Sequence, residues 1–115
     1  MYHDNDKNLL EETLEVTNTT SVEELAGHIS YGRIFYEPDS LKLELPPEHT
    51  LDEAMDFLNK LDFEYYSGFG GQDVYGMICL NDNTWLSREE YDGSEWWRLN
   101  QYPSWEDLHD PYGKY

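Results

Sequence analysis

The sequence predicts an α+β fold: a largely antiparallel β-sheet with two to three helices packed on one face. The unit is a single compact acidic domain over residues 1–115. Three observations lead there. Two capping boxes, Ser21-Val22-Glu23-Glu24 and Thr50-Leu51-Asp52-Glu53, each open an amphipathic run. Two turn signals, at residues 37–40 and at Asp92-Gly93, each join runs of alternating polarity. Ten Tyr, four Trp and four Phe supply core material to a chain of net charge −18. Acidity without aromatics would read as disorder.

The first element expected is a helix over Asp6–Val16, with Leu10 and Leu14 on one face. The polar stretch Asn18–Ser21 ends it. The second helix follows Ser21, with Val22, Leu25, Ala26 and Ile29 at the i, i+3, i+4, i+7 spacing, and runs to about Ser30. Residues 31–36 and 41–45 then form a hairpin around Glu37-Pro38-Asp39-Ser40. Pairing Tyr36 with Leu41 places Ile34, Tyr36, Leu41, Leu43 and Leu45 on one apolar face. It also sets Phe35 against Lys42 and Arg33 against Glu44.

Pro46-Pro47 stops the strand. The helix opened by Thr50 reaches about Leu61, with Leu51, Ala54, Met55, Leu58 and Leu61 inward and Asp52, Glu53, Asp56, Asn59 and Lys60 outward. Residues 63–66 read as a short strand and Ser67–Asp73 as a connection. Val74–Leu80 is apolar on both faces, as a central strand is. Residues 84–91 and 94–100 form the second hairpin. Its two-residue turn sets Glu90 opposite Glu95, Arg88 opposite Trp97 and Leu86 opposite Leu99, with Glu89 opposite Trp96 on the other face. Ser104-Trp105-Glu106-Asp107 caps a terminal helical turn.

The charge is spread along the chain. Residues 1–30, 31–60, 61–90 and 91–115 carry −6, −4, −5 and −3, so the acidity coats the fold and is not a tail. Solubility needs a net charge of only about 2–8 in magnitude. Such a skin repels nucleic acid and attracts basic surfaces. Two carboxylate groups stand out as partner-binding candidates. Glu89, Glu90, Asp92 and Glu95 gather at the hairpin tip, where opposed like charges cost roughly 0.2–1 kcal/mol. Asp52, Glu53 and Asp56 share the first turns of the third helix, 52 and 56 being one turn apart. Trp97, Tyr91 and Phe69 are candidate aromatic anchors.

Catalytic and cofactor signals are poor. Ser67-Gly68-Phe69-Gly70-Gly71 lacks the Lys-Ser/Thr of a phosphate loop. Asp4, Asp6, Asn8 and Glu15 match positions of a calcium loop, but Leu9 stands where that loop needs Gly. The four His are scattered, so no metal and no cofactor is expected. One cysteine, Cys79, excludes an internal disulfide, and its apolar neighbours suggest a buried thiol. With no signal peptide and no apolar run of 18 residues, the expectation is a cytoplasmic protein with no membrane contact.

The stretch Trp85-Leu86-Ser87-Arg88-Glu89-Glu90-Tyr91-Asp92-Gly93-Ser94-Glu95-Trp96-Trp97, with the strand before it, resembles a segment of small acidic accessory proteins of tailed bacteriophages. The likeness covers about a fifth of the chain and carries over no functional residues. In size and charge the chain also resembles phage DNA-mimic proteins. Those inhibit restriction enzymes or CRISPR effectors by occupying their DNA-binding grooves. The resemblance implies a non-enzymatic anti-CRISPR or antirestriction inhibitor whose partner is a basic nucleic-acid-binding protein of the host. No direct nucleic-acid contact is expected, and a homodimer is compatible with it. The alternative is an interaction module working through its aromatic surface, such as an RNA polymerase inhibitor or an assembly adaptor. A small hydrolase is the third reading.

Overall fold

The first hairpin, Ile29–Tyr36 with Leu41–Leu45, forms in the register its side chains call for. In the computed structural model, which describes residues 6–66 and 71–101, Tyr36 pairs with Leu41, Phe35 with Lys42 and Arg33 with Glu44. Two short strands, β1 (Asp6–Asn8) and β4 (Glu64–Tyr66), pair with each other apart from the main sheet. The main sheet contains β2 (Ile29–Tyr36), β3 (Leu41–Leu45), β5 (Val74–Leu80), β6 (Thr84–Tyr91) and β7 (Ser94–Gln101). Their order is β3-β2-β5-β6-β7, all antiparallel, with β5 at the centre. Three helices, α1 (Leu9–Val16), α2 (Val22–Ala26) and α3 (Leu51–Asn59), complete the α+β fold.

Strand parity sorts the residues. Gly32, Ile34, Val74, Ile78, Leu86 and Trp97 share the face that meets the helices, and all but glycine join the hydrophobic core. α1 packs against β7, α3 against β3, and α2 against α3. A Cβ on Gly32 would lie 3.0 Å from the Phe57 ring of α3, so glycine is what lets helix and sheet approach here. Met77, Arg33 and Trp96 point to the opposite face.

The β6–β7 turn also follows its residues. Asp92 and Gly93 take φ of 53° and 88°, the pair of positive values that a tight hairpin turn requires. Glu90 faces Glu95 and Arg88 faces Trp97.

Four expectations are corrected. The first helix begins at Leu9, because residues 6–8 form β1. Asn8 Oδ1 accepts the Glu11 N–H (3.0 Å), while the Leu9 and Leu10 N–H groups donate to the carbonyls of Phe63 and Leu61 (both 3.0 Å). These bonds satisfy orphan donors of the first turn and tie the helix start to β4. The second helix ends at Ala26, short of Ser30. The Asn81 N–H donates to His28 O (2.8 Å) and draws the chain into the sheet, so Ile29 starts β2. The Ser21 box is also displaced: Ser21 Oγ accepts from Glu24 N–H, but the Glu24 carboxylate accepts from Thr20. Finally, Leu51 is exposed, and Phe57 takes its expected place in the inward stripe of α3. The Thr50 capping box is complete. The expected helical turn at residues 104–107, residues 67–70 of the connection, and Phe69 lie outside the described residues.

Candidate interaction surface

The hairpin tip separates into buried and exposed charges. Glu95 is 0 % exposed, so it leaves the expected contact cluster. Parity explains this. Residues 95, 97 and 88 share the helix-covered face with Leu86. Glu95 Oε1 accepts from Arg88 Nη2 (2.9 Å) and from the Val74 N–H (3.0 Å), and its Oε2 accepts from the Asp73 N–H (2.7 Å). A carboxylate buried this way is compensated by one cation and two backbone donors at the entry to β5.

Arg88 is the hub of the network, with its side chain 2 % exposed. Its Nη1 lies 3.3 Å from Glu12 Oε2, and its Nη2 also donates to Tyr65 Oη (2.9 Å). The guanidinium carbon lies 4.7 Å from the Trp97 ring centre and 5.3 Å from that of Tyr65, so two aromatic faces bracket the charge. Among the described residues, Arg88 Nε finds no hydrogen-bond partner. Tyr65 Oη donates to Glu12 Oε1. Burial pushes the Tyr65 phenol up, which keeps it protonated as a donor.

Trp97 is buried at 4 % and is core, not an anchor. Its indole Nε1 donates to Thr13 Oγ1 (2.8 Å), and its backbone N–H donates to Glu12 Oε2 (2.7 Å). Lys7 Nζ donates to the Glu95 carbonyl (2.9 Å). Both backbone groups belong to β7, an outer strand of the sheet. Glu12 and Lys7 thus close part of an edge that would otherwise offer pairing to another strand.

The other tip residues stay outside. Glu90 is exposed and its carboxylate accepts the Gly93 N–H (2.8 Å), bracing the turn. Glu89 pairs with Arg98 (3.0 Å), and Asp92 is exposed. Tyr91 is 75 % exposed and Trp96 38 % exposed, so Trp96 takes the exposed position expected of Trp97. On α3, Asp52, Glu53 and Asp56 are all exposed. Glu53 is held by the cap through Thr50 N–H (2.9 Å), and Asp56 pairs with Lys60 (3.0 Å). Asp52 is the acidic side chain of that helix closest to the expected free carboxylate.

One surface escaped the sequence reading. A groove of about 620 Å³ runs between β1, α1 and β7, walled by Asp6, Glu11, Glu12 and Glu15 with Trp96 at its rim. β1 supplies Asp6, Lys7 and Asn8 to its lining. A second groove of about 430 Å³ lies between β3 and α3 and includes Asp52, Glu53 and Asp56. The tip cluster and the α3 cluster sit at different places on the fold and are not brought into one site.

Local hydrogen bonds tune a few surface acids. Bonds from Thr84 hold Asp82 below the usual carboxylate range, and those from Thr20 do the same for Glu24. Asp73 is shifted up by burial, then by the charges of Glu95 and Glu37. Among the described residues, no group of three or more His, Cys, Asp or Glu could hold a metal ion, and no helix is long and apolar enough to cross a membrane. The sequence matches no protein-family model, and no curated protein or solved structure is detectably similar to it.

Proposed function

We propose that the chain is a phage-encoded, non-enzymatic inhibitor that presents its acidic skin to the basic groove of a host nucleic-acid-binding protein. CRISPR effectors and restriction enzymes in the host cytoplasm are the target class. One observation carries the reading: the carboxylates are outside, and most of the described cations are paired within the molecule. Most described Asp and Glu side chains are exposed. Meanwhile Lys7, Arg33, Lys60, Arg88 and Arg98 are each engaged within the molecule. The surface pairs among them are worth at most about 1 kcal/mol each and leave their carboxylates reachable. A rigid sheet carrying unneutralised charge suits steered association and steric exclusion of DNA.

The test is affinity purification from nuclease-treated host lysate, followed by binding measurements on the recovered protein. Affinity should fall steeply between about 50 and 200 mM salt. Charge reversal at Asp52 and Glu53 should weaken it. A partner bound equally well at both salt concentrations, and untouched by charge reversal, points instead to an aromatic interaction module. That second reading has its own support in the exposed Tyr91 and Trp96 beside the tip.

A further inference from the structure

We propose that part of the sheet face turned away from α1, α2 and α3 is a self-association surface, pairing face to face with a second copy of this chain. The face is ordered in rows across the strands. One row runs Glu44, Arg33, Met77, Ser87 and Arg98. The next holds Lys42, Phe35 and Tyr75, continuing at the far side with Glu89 beside Trp96. Tyr75 is 42 % exposed and its ring contacts that of Phe35 at 6.4 Å. Tyr31, Cys79 and Trp85, one row further, already have partners and are not part of the proposed surface.

Charge selects the occupant. The chain has 25 carboxylates against seven Lys and Arg. On these two rows Arg33, Lys42 and Arg98 face only Glu44 and Glu89. Another copy approaching any strongly acidic surface meets like charge, whereas here the balance is close to neutral. The face is also self-complementary. Its Arg33–Glu44 pair is long at 3.7 Å, and both side chains are largely exposed, so each can turn to the opposite partner in a two-fold arrangement. The aromatics between the charged groups supply area that two sheets can interleave at about 10 Å separation.

A patch of two side-chain rows fits a weak dimer, with a dissociation constant between about 10 µM and 1 mM. Its salt dependence is diagnostic. Screening relieves repulsion between the two acidic bodies, so salt strengthens the dimer, the opposite of its expected effect on partner binding. The two proposals can therefore fail separately.

The test is sedimentation equilibrium of the full chain from about 5 µM to about 1 mM, at about 50 and about 500 mM salt. The dimer share should rise with concentration, and the dissociation constant should fall at least about threefold at the higher salt. Tyr75→Glu and Trp96→Glu should each weaken association by about tenfold or more, as expected for aromatic anchors. Asp52→Lys, on the far side of the molecule, should not weaken it. Circular dichroism establishes that each variant is folded, and Arg98→Glu replaces any that is not. A chain that stays monomeric at about 1 mM overturns the proposal, as does a dimer that none of the face variants weakens.

Discussion

Arg88 and Glu95 meet diagonally across β6 and β7, with Nη2 2.9 Å from Oε1 and both side chains closed to solvent. Four residues from α1, β4 and β7 converge on this pair: Glu12, Thr13, Tyr65 and Trp97. The network joins the first helix to the last two strands, over separations of 76 to 85 residues. Among the described residues, Glu95 is the carboxylate that the acidic chain withdraws from its surface.

Removing Glu95 should therefore be costly. Glu95→Ala takes one of its two carboxylates from Arg88 and strands the N–H groups of Asp73 and Val74, and a loss of about 3–5 kcal/mol is expected in urea unfolding. Glu90→Ala, directly across the ladder, loses only the turn brace and should cost about 1 kcal/mol. Many buried ion pairs can be replaced by apolar residues without penalty. This one should not be, because its carboxylates also satisfy backbone donors. The double variant Arg88→Met with Glu95→Leu should remain at least about 2 kcal/mol below the parent.

The adjacent tryptophans should behave oppositely. Trp97→Ala opens a cavity and frees Thr13, at about 3–5 kcal/mol. Trp96→Ala should change stability by less than about 1 kcal/mol. Equal losses in thermal unfolding would contradict the side-chain parity of β7.

Gly76 lies where β5 crosses β2 with φ of 134°, and a Cβ there would sit 2.0 Å from the Arg33 carbonyl oxygen. Gly76→Ala should unfold the chain or cost more than about 3 kcal/mol. At Gly32, an added methyl meets side chains and not backbone: the Phe57 ring at 3.0 Å and Ile78 Cγ1 at 3.4 Å. Gly32→Ala should fall within about 1–3 kcal/mol.

Asp73 is the carboxyl whose folded pKa is raised, by burial and by Glu95 and Glu37. The folded state holds its proton more tightly than the unfolded chain does. The penalty is full above the folded pKa and vanishes below the unfolded value of roughly 4. Asp73→Asn should accordingly raise the urea midpoint at pH 7 and show no advantage near pH 3.

Strand register was legible because Tyr36, Leu41 and the Asp92-Gly93 turn each allow one in-register pairing. The same parity placed Arg88 and Glu95 with Leu86 on the covered face. A Glu next to a turn nevertheless reads as solvated until its cation is seen. Glu12 and Tyr65 were not legible. They reach Arg88 through the β1–β4 pairing, and Asp6–Asn8 carries too short a pattern to declare itself a strand. Phe57 was missed because the apolar stripe of α3 also admits Leu51, and only the contact with Gly32 decides between them.

Competition between this protein and duplex DNA for the basic protein it retrieves tests the central claim most directly. The expected result is mutual exclusion, with the chain's affinity falling steeply from about 50 to 200 mM salt and falling again on Asp52→Lys with Glu53→Lys. A ternary complex holding both protein and DNA, with affinity indifferent to salt, would contradict it.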